Sequence, residues 1–294
     1  MNTILKTRLQ QDGAVLAPGV YDALSALLVE QAGFEAAYIS GASVAYTQLG
    51  RPDIGLVSFD HVADCVRRIR ERVQLPLIVD ADTGFGNALN VQRTVRGLER
   101  AGATAIQLED QSFPKRCGHL AGKSLIGTEQ MAGKVRAAVD ARVSEQTLII
   151  ARTDAIAVEG FEVAIERGYV YLEAGADILF IEAPRSAEEL SAVVATFGRR
   201  IPLLANMVEG GRTPIHSCAE LSALGYRLVI SPGALVRAFV HMAEGFFRTL
   251  KADGSTRSWA QNMLNFDALN RRLGLPEMQD LGECYDPALR TEAN

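Results

Sequence analysis

Ala101-Gly102-Ala103-Thr104-Ala105-Ile106-Gln107-Leu108-Glu109 reads as the last turn of a helix, a glycine, and a short apolar run that ends on an acid. Glycine takes the left-handed backbone that closes a helix, and a brief apolar run after it fits a buried strand. The phrase recurs. Ala32-Gly33-Phe34 leads into 36–40, Ala174-Gly175-Ala176 into 178–181, and Leu224-Gly225-Tyr226 into 228–230. A second phrase alternates with it: Leu75-Pro76-Leu77-Ile78-Val79 and Ile201-Pro202-Leu203-Leu204 begin strands with proline where no ladder donor is needed. With 14–17 and 147–151, these predict eight strands centred near residues 16, 38, 78, 107, 149, 180, 204 and 229.

Helical patterns separate the eight runs, and strict βα alternation predicts an α/β fold, a parallel (β/α)8 TIM barrel. The competing doubly wound sheet would carry a glycine-rich phosphate turn after its first strand, and Ala17-Pro18-Gly19-Val20-Tyr21-Asp22 is not one. No internal boundary is visible, so residues 1–294 are expected to form one barrel domain with a C-terminal helical extension from about 252. After the last strand a helix over 236–251 is broken at Asp253-Gly254-Ser255, and in the extension Trp259, Met263, Phe266, Leu269 and Leu273 carry further helical pattern. Apolar residues beyond what a barrel needs point to packing on a neighbouring subunit.

Composition narrows the function classes. With 48% hydrophobic and 22% charged residues, the 294-residue chain has ample core for a soluble globular protein. A net charge of −5 gives no electrostatic reason to expect nucleic acid or an anionic membrane as partner. The basic run Arg67-Arg68-Ile69-Arg70-Glu71-Arg72 has the spacing of a solvated helix face. No apolar run is long enough to span a bilayer, and the first residues lack the apolar segment of a signal peptide. Four scattered cysteines without a CxxC pair indicate a reduced, cytoplasmic protein and argue against cysteine-bound zinc.

Chemistry is expected at the C-terminal ends of barrel strands. Those ends hold Tyr38, Ser40, Asp80, Asp82, Glu109, Arg152, Glu182, Asn206 and Ser231. Asp80 and Asp82 are two apart and share a side of an extended backbone. Such aspartates can cap the next helix; joined by Glu109 and Glu182 they read as an oxygen-rich site for Mg2+, with Mn2+ not separable from it. Arg152 has the planar fork that suits a substrate carboxylate, although a rim ion pair with one of the acids is the alternative. Cys117 lies between Arg116 and His119, and neighbouring cations make a thiolate accessible near neutral pH. His119 is read as a cation tuning that thiol or as a donor to substrate. His61, His216 and His241 are read as surface or packing residues, Cys65 and Cys218 as core, and Cys284 is given no role.

Lys115-Arg116-Cys117-Gly118-His119 resembles the KRCGH signature of the isocitrate lyase and phosphoenolpyruvate mutase superfamily. Residues 79–86 and 108–111 match its VDADTGxG and LEDQ segments, and Tyr38-Ile39-Ser40-Gly41, Pro52-Asp53-Ile54-Gly55, Ala151-Arg152-Thr153-Asp154, Glu182-Ala183 and Asn206-Met207 follow in family order. The resemblance runs from about residue 14 to 275. It implies a barrel whose eighth helix is swapped between paired subunits of a homotetramer. The implied reaction is reversible carbon–carbon cleavage of a small 2-hydroxy dicarboxylate.

By that resemblance Asp53, Asp80 and Asp82 hold the metal directly or through water, with Glu109 and Glu182 behind them. Cys117 is the general acid, Lys115 and His119 belong to its catalytic loop, and Tyr38 is the candidate base. Ser40, Gly41 and Ala42 cradle the keto-acid end beside Arg152 and Asn206, while Arg237 meets the distal carboxylate. Glycines 118 and 122 are expected to hinge the thiol loop.

The thiol disfavours the phosphonomutase, phosphonopyruvate hydrolase and oxaloacetate decarboxylase branches. Asn206-Met207-Val208-Glu209-Gly210-Gly211 resembles the dimethylmalate lyase and petal-death-protein branch. Methylisocitrate lyases end that loop in Phe-Gly and carry a C-terminal arginine, where this chain has Asn265 or Phe266. The expected substrate is therefore 2,3-dimethylmalate or a related 2-alkylmalate. Oxaloacetate hydrolysis comes next, weakened by Ala234 where a hydroxyl is expected, then methylisocitrate cleavage. A catalytically silent homologue is disfavoured because the whole set of reactive residues is intact.

Overall fold

The computed structural model describes residues 2–118 and 122–286. Two compact units emerge, Met1–Arg237 and Ala238–Asn294. The first contains eight parallel strands: β1 (Val15–Val20), β2 (Ala37–Ile39), β3 (Leu77–Asp80), β4 (Ala105–Glu109), β5 (Leu148–Thr153), β6 (Ile178–Ile181), β7 (Leu204–Asn206) and β8 (Leu228–Ser231). Their order is β6-β5-β4-β3-β2-β1-β8-β7, and a parallel bridge between Leu179 and Leu203 joins the two ends. The result is the (β/α)8 barrel expected from the alternating phrases. All eight predicted strand centres fall within or at the edge of observed strands.

The prolines and glycines behave as their chemistry requires. Pro76 and Pro202 lend carbonyls to the ladder, accepting the Ala37 and Leu179 amides at 3.0 and 3.1 Å. The glycines of the recurring phrase, Gly33, Gly102, Gly175 and Gly225, all have positive φ. Gly19 answers a different constraint. A Cβ there would lie 2.0 Å from the Pro232 carbonyl oxygen, so the turn after β8 approaches β1 only because position 19 has no side chain.

Strand pleating sorts side chains with a period of two. Val15, Ala17, Tyr38, Ile78, Ala105, Leu148, Ile150, Ile178, Phe180, Leu204, Leu228 and Ile230 form one buried cluster within the barrel, together with Leu5 and Leu9 from the N-terminal segment. The intervening residues, including Ile39, Val79, Ile106, Leu108, Ile149, Ala151, Leu179, Ala205 and Val229, join the larger cluster beneath the helices. Two positions past Ile78, Ile150, Phe180 and Leu204 on the same inward register stand Asp80, Arg152, Glu182 and Asn206. Hydrophobic burial of the barrel interior thus fixes the direction of its polar rim.

The basic run lies on the helix Phe59–Arg72, and it is not uniformly solvated. Arg67, Arg68 and Arg72 are exposed, but Arg70 is half-buried and donates to the Gly102 and Val73 carbonyls. Cys65 is buried on this helix, whereas Cys218 starts the helix Cys218–Leu224 at intermediate burial, packed against the core from its edge. His61 caps its own helix through Ser58.

In the second unit the helix begun at Ala234 runs to Asp253 and ends before Gly254 (φ 62°). A 3-10 turn (Arg257–Asn262) and helices Phe266–Leu273 and Leu275–Tyr285 follow. Phe246 packs edge-on against Trp259 with ring centroids 6.0 Å apart. Phe239, Val240, Phe247, Phe266, Met278 and Tyr285 are exposed. Among the described residues no helix is long and apolar enough to cross a membrane.

The Gly19 approach gives a direct test. Gly19→Ala is expected to cost about 1–3 kcal/mol or more, as overpacking against rigid backbone does. Gly133→Ala, in the helix Thr128–Ala141 with open space at its Cβ, is expected to stabilise by up to about 1 kcal/mol. Urea unfolding of the two variants checks both signs.

Candidate active site

The strand ends surround a cavity of about 170 Å³ lined by Tyr38, Ser40, Ala42, Tyr46, Asp53, Asp80, Glu109, Lys115, Cys117, Gly118, Arg152, Glu182, Asn206, Val208 and Arg237, among others. Most of the residues singled out in the sequence therefore share one space. A wider depression of about 360 Å³ opens elsewhere, between Lys6, Arg199, Arg200 and Arg227, and contains none of them.

Carboxylates dominate the rim. Asp53, Asp80, Asp82, Glu109 and Glu182 are all buried. Two buried cations face them. The Lys115 ammonium lies 2.7 Å from Asp53 Oδ1 and 2.7 Å from Asp82 Oδ1. Arg152 Nε lies 3.5 Å from Glu109 Oε2, its neighbour in the β4–β5 ladder, and Nη2 lies 3.9 Å from Glu182 Oε1. Burial pushes the Asp82 pKa up to about 7 against the pull of Lys115, and Asp80 and Asp53 push the same way. Glu109 is also held well above the ordinary carboxylate range, mainly by burial. Lys115 is raised as well, which keeps it charged: burial alone would lower it, but Asp82, Glu109 and Asp53 hold its proton firmly.

Asp80 is already engaged by neutral donors. It accepts from the Gly41 amide (3.3 Å), the Asp82 amide (3.2 Å) and Gln107 Nε2 (3.2 Å). Gln107 in turn accepts from the Tyr38 hydroxyl at 3.0 Å. Burial, then Asp80, raises the Tyr38 pKa well above its usual value, so the phenol is a hydrogen-bond donor in this arrangement. Ser40 caps the short helix Gly41–Val44 through the Ser43 amide. Asn206 donates to both Glu182 oxygens at 3.3 Å, while its own Oδ1 is buried without a hydrogen-bond partner. Arg237 is half-exposed and bound to Glu209, through its carboxylate at 3.2 Å and its carbonyl at 3.1 Å.

Among the described residues no three histidine, cysteine, aspartate or glutamate side chains converge as a preformed metal shell. The donor set nevertheless fits a hard divalent cation. It is all oxygen, and Glu109 Oε1 is buried with no hydrogen-bond partner. Asp82 also sits at positive φ (49°), as does Ala183 (60°) immediately after Glu182, so the backbone is strained where two of the acids are presented.

The thiol loop leaves and re-enters the barrel at one point. Gln111 bridges to Leu125, and the Ser112 amide donates to the Ser124 carbonyl at 2.8 Å. Gln111 also braces the loop from inside, accepting from the Arg116 amide and donating to its carbonyl at 2.9 and 2.8 Å. The Cys117 amide donates to the Asp53 carbonyl at 3.2 Å, which ties the half-buried thiol to the acid cluster. Gly118 seats against Arg152 and Glu182 so closely that a Cβ would fall 2.4 and 2.6 Å from their polar atoms. His119 lies outside the described residues. Arg152 resolves toward its alternative reading on one edge: Nε and Nη2 form a fork to Asp154 at 2.9 and 3.1 Å. Two of its five donors are thereby committed to a rim ion pair, and a substrate carboxylate would meet the others.

Comparison with known proteins places the chain. Residues 5–251 match the phosphoenolpyruvate phosphomutase family. The chain is 44% identical over 289 residues to 2,3-dimethylmalate lyase of Eubacterium barkeri, covering 97% of this chain and 99% of that one. It belongs to the isocitrate lyase/phosphoenolpyruvate mutase superfamily. It is also 49% identical over 256 residues to 2-methylisocitrate lyase of Aeropyrum pernix, covering 86% and 81%. A solved 2,3-dimethylmalate lyase of this superfamily superposes with a TM-score of 0.91 at 37% identity, covering 97% of this chain and 95% of that structure. These superfamily relatives are lyases.

Reading the sequence missed Gln107, Tyr46, Lys123 and Asp154. Gln107 had a usable signal, a polar residue on the inward register of an apolar strand. Asp154 was part of the quoted Ala151–Asp154 segment, but nothing local showed its partners to be Arg152 and Lys123, the latter at 2.7 Å. Burial alone would raise Asp154, yet Arg152 and Lys123 together hold it down at about 2, below the unfolded aspartate value of about 3.9. Its contribution to stability is therefore present above about pH 4 and is lost as pH falls toward 2. Asp154→Asn is expected to destabilise by about 3–5 kcal/mol at pH 7. The gap should close through that acid window in denaturant titrations.

Proposed function

We propose that this protein is a Mg2+-dependent carbon–carbon lyase that cleaves a small 2-hydroxy dicarboxylate, 2,3-dimethylmalate or a related 2-alkylmalate, to pyruvate and a short carboxylate. One observation carries the reading. A thiol loop is tied to a buried carboxylate cluster and seated on an arginine, all within one cavity of about 170 Å³. That combination can grip a carboxylate, withstand developing negative charge and deliver a proton.

Asp53, Asp80 and Asp82 would hold the metal, with Glu109 and Glu182 behind them. Bound there, Mg2+ would offset the crowded negative charge and stabilise the oxyanion that develops on the substrate. Arg152, with Ser40, Gly41, Ala42 and Asn206, orients the end that becomes pyruvate. Arg237 receives the distal carboxylate, exchanging part of its pairing with Glu209. Tyr38 takes the hydroxyl proton as a tyrosinate, which requires the surrounding carboxylates to be neutralised and its own phenol proton to leave to solvent first. The carbon–carbon bond then breaks, its electron pair passing to the departing carboxylate fragment as an enolate. Cys117 gives that carbon a proton, and Lys115 and His119 support the thiol loop.

The specificity reading rests on 206–211 and on Asn265 or Phe266, where a tricarboxylate enzyme carries arginine. A third carboxylate left unpaired in a closed site would cost at least about 1–3 kcal/mol. Methylisocitrate cleavage is the second reading, favoured by the relative of 49% identity. Oxaloacetate hydrolysis follows it, with Ala234 as the observation against. The exposed apolar residues of the C-terminal unit support a homotetramer built from helix-swapped pairs, and the scattered thiols support a cytoplasmic location.

Parallel assays of 2,3-dimethylmalate, 2-methylisocitrate and oxaloacetate with Mg2+, with products followed by NMR, test the substrate. Pyruvate and propionate are expected from the first. Succinate from the second, or oxalate from the third, would move the assignment. Cys117→Ser should lower cleavage by about 10²–10⁴-fold, the range of positioned acid catalysis, while metal binding is retained. Near-wild-type turnover would mean that another group supplies the proton. For the assembly, analytical ultracentrifugation should show a tetramer at micromolar concentration, and a monomer would remove the swapped arrangement.

A further inference from the structure

Lys123 and Asp154 take no part in the proposed reaction, yet both side chains are almost fully buried, at 2% and 0% exposure. Lys123 returns from the far arm of the thiol loop. Its ammonium donates to the Gly118 carbonyl and, at 2.7 Å, to Asp154 Oδ1. The same carboxylate holds the Arg152 fork. One aspartate therefore grips two cations, one of them holding the residue next to Cys117 and the other reading the substrate.

Asp154 is itself fixed from behind. Its amide donates to Asp110 Oδ1 at 3.0 Å, while Asp110 Oδ2 accepts from Thr153 Oγ1 (2.7 Å), Tyr171 OH (2.8 Å) and Arg167 Nη1 (3.2 Å). Asp110 is fully buried, so this base is anchored in the barrel wall. The Gly118 backbone completes the unit by lying against Arg152 Nη2. Buried ion pairs seldom add much net stability over apolar packing, and specifying one geometry is their better-attested use.

We propose that Asp154 and Lys123 are positioning residues that lock the Cys117 thiol to the Arg152 guanidinium whenever the hinged thiol loop is seated as it is here. Proton donor and carboxylate clamp are then held at a constant separation, as delivery to a carbon next to the bond being broken requires. The inference rests on the lyase reading for its catalytic meaning, while the lock itself is a property of the site without substrate. Displacements of about 1 Å at a reacting group are enough to cost about 10²-fold in rate.

Lys123→Met and Asp154→Asn test it with three readouts: kcat for the diacid that the wild type cleaves, oxalate affinity by calorimetry with Mg2+, and the iodoacetamide alkylation rate of Cys117 by peptide mass mapping. Lys123→Met should lower kcat by about 10²-fold and speed Cys117 alkylation, with oxalate affinity unchanged. Asp154→Asn should do both and also weaken oxalate, because it releases Arg152. Wild-type kcat and alkylation in Lys123→Met would overturn the proposal. Equal loss of oxalate affinity in both variants would also overturn it, since that marks general disruption of the site. If Asp154→Asn does not fold, the kcat and alkylation of Lys123→Met decide. If the wild type cleaves no diacid, the lyase reading fails, and the alkylation and oxalate measurements still decide the lock.

Discussion

Five buried carboxylates on one rim can coexist only because Lys115 and Arg152 are buried with them. Removing a cation would leave buried acids short of compensating charge, and the local pKa values show how close to that limit the cluster already is. Glu109 and Asp82 are pushed upward even with both cations present. The thiol loop is thus part of the electrostatic balance of the site. Lys115 belongs to the same segment as Cys117, so the residue that neutralises the acids also helps fix the place of the proton donor. Arg152 plays the matching part from the barrel wall.

This balance sits where it does because of strand pleating. Phe180 is inward on β6, so Glu182 two positions later is inward as well; the same holds for Ile150 and Arg152, and for Leu204 and Asn206. Apolar packing inside the barrel aims the polar residues at its mouth. That is why the eight strands and most of the cavity lining were legible from local phrases alone. Helix ends, glycine caps and two-residue alternation are short-range signals, and each was repeated several times.

What escaped the sequence was made of contacts between distant residues. Lys123 and Asp154 are 31 positions apart, and neither residue type betrays its partner. Arg70 looked like one more solvated base, but the chain beyond its own helix folds back to offer it the Gly102 carbonyl. Arg152 could be read as a clamp or as an ion pair, and the structure gives its two edges different duties. Cys218 followed an apolar pattern yet lies at a helix start, where burial is incomplete. Family motifs narrowed these choices by naming residues, without saying what each residue leans on.

Ala183 has a consequence of another kind. It follows Glu182 with φ of 60°, a conformation that costs a residue with a side chain about 1–3 kcal/mol. A glycine there would relieve the strain in the folded chain and loosen the unfolded one. The two effects oppose each other, so stability alone gives little reason to keep or to lose this alanine, and drift to glycine would soften the mount that presents Glu182 to the cavity.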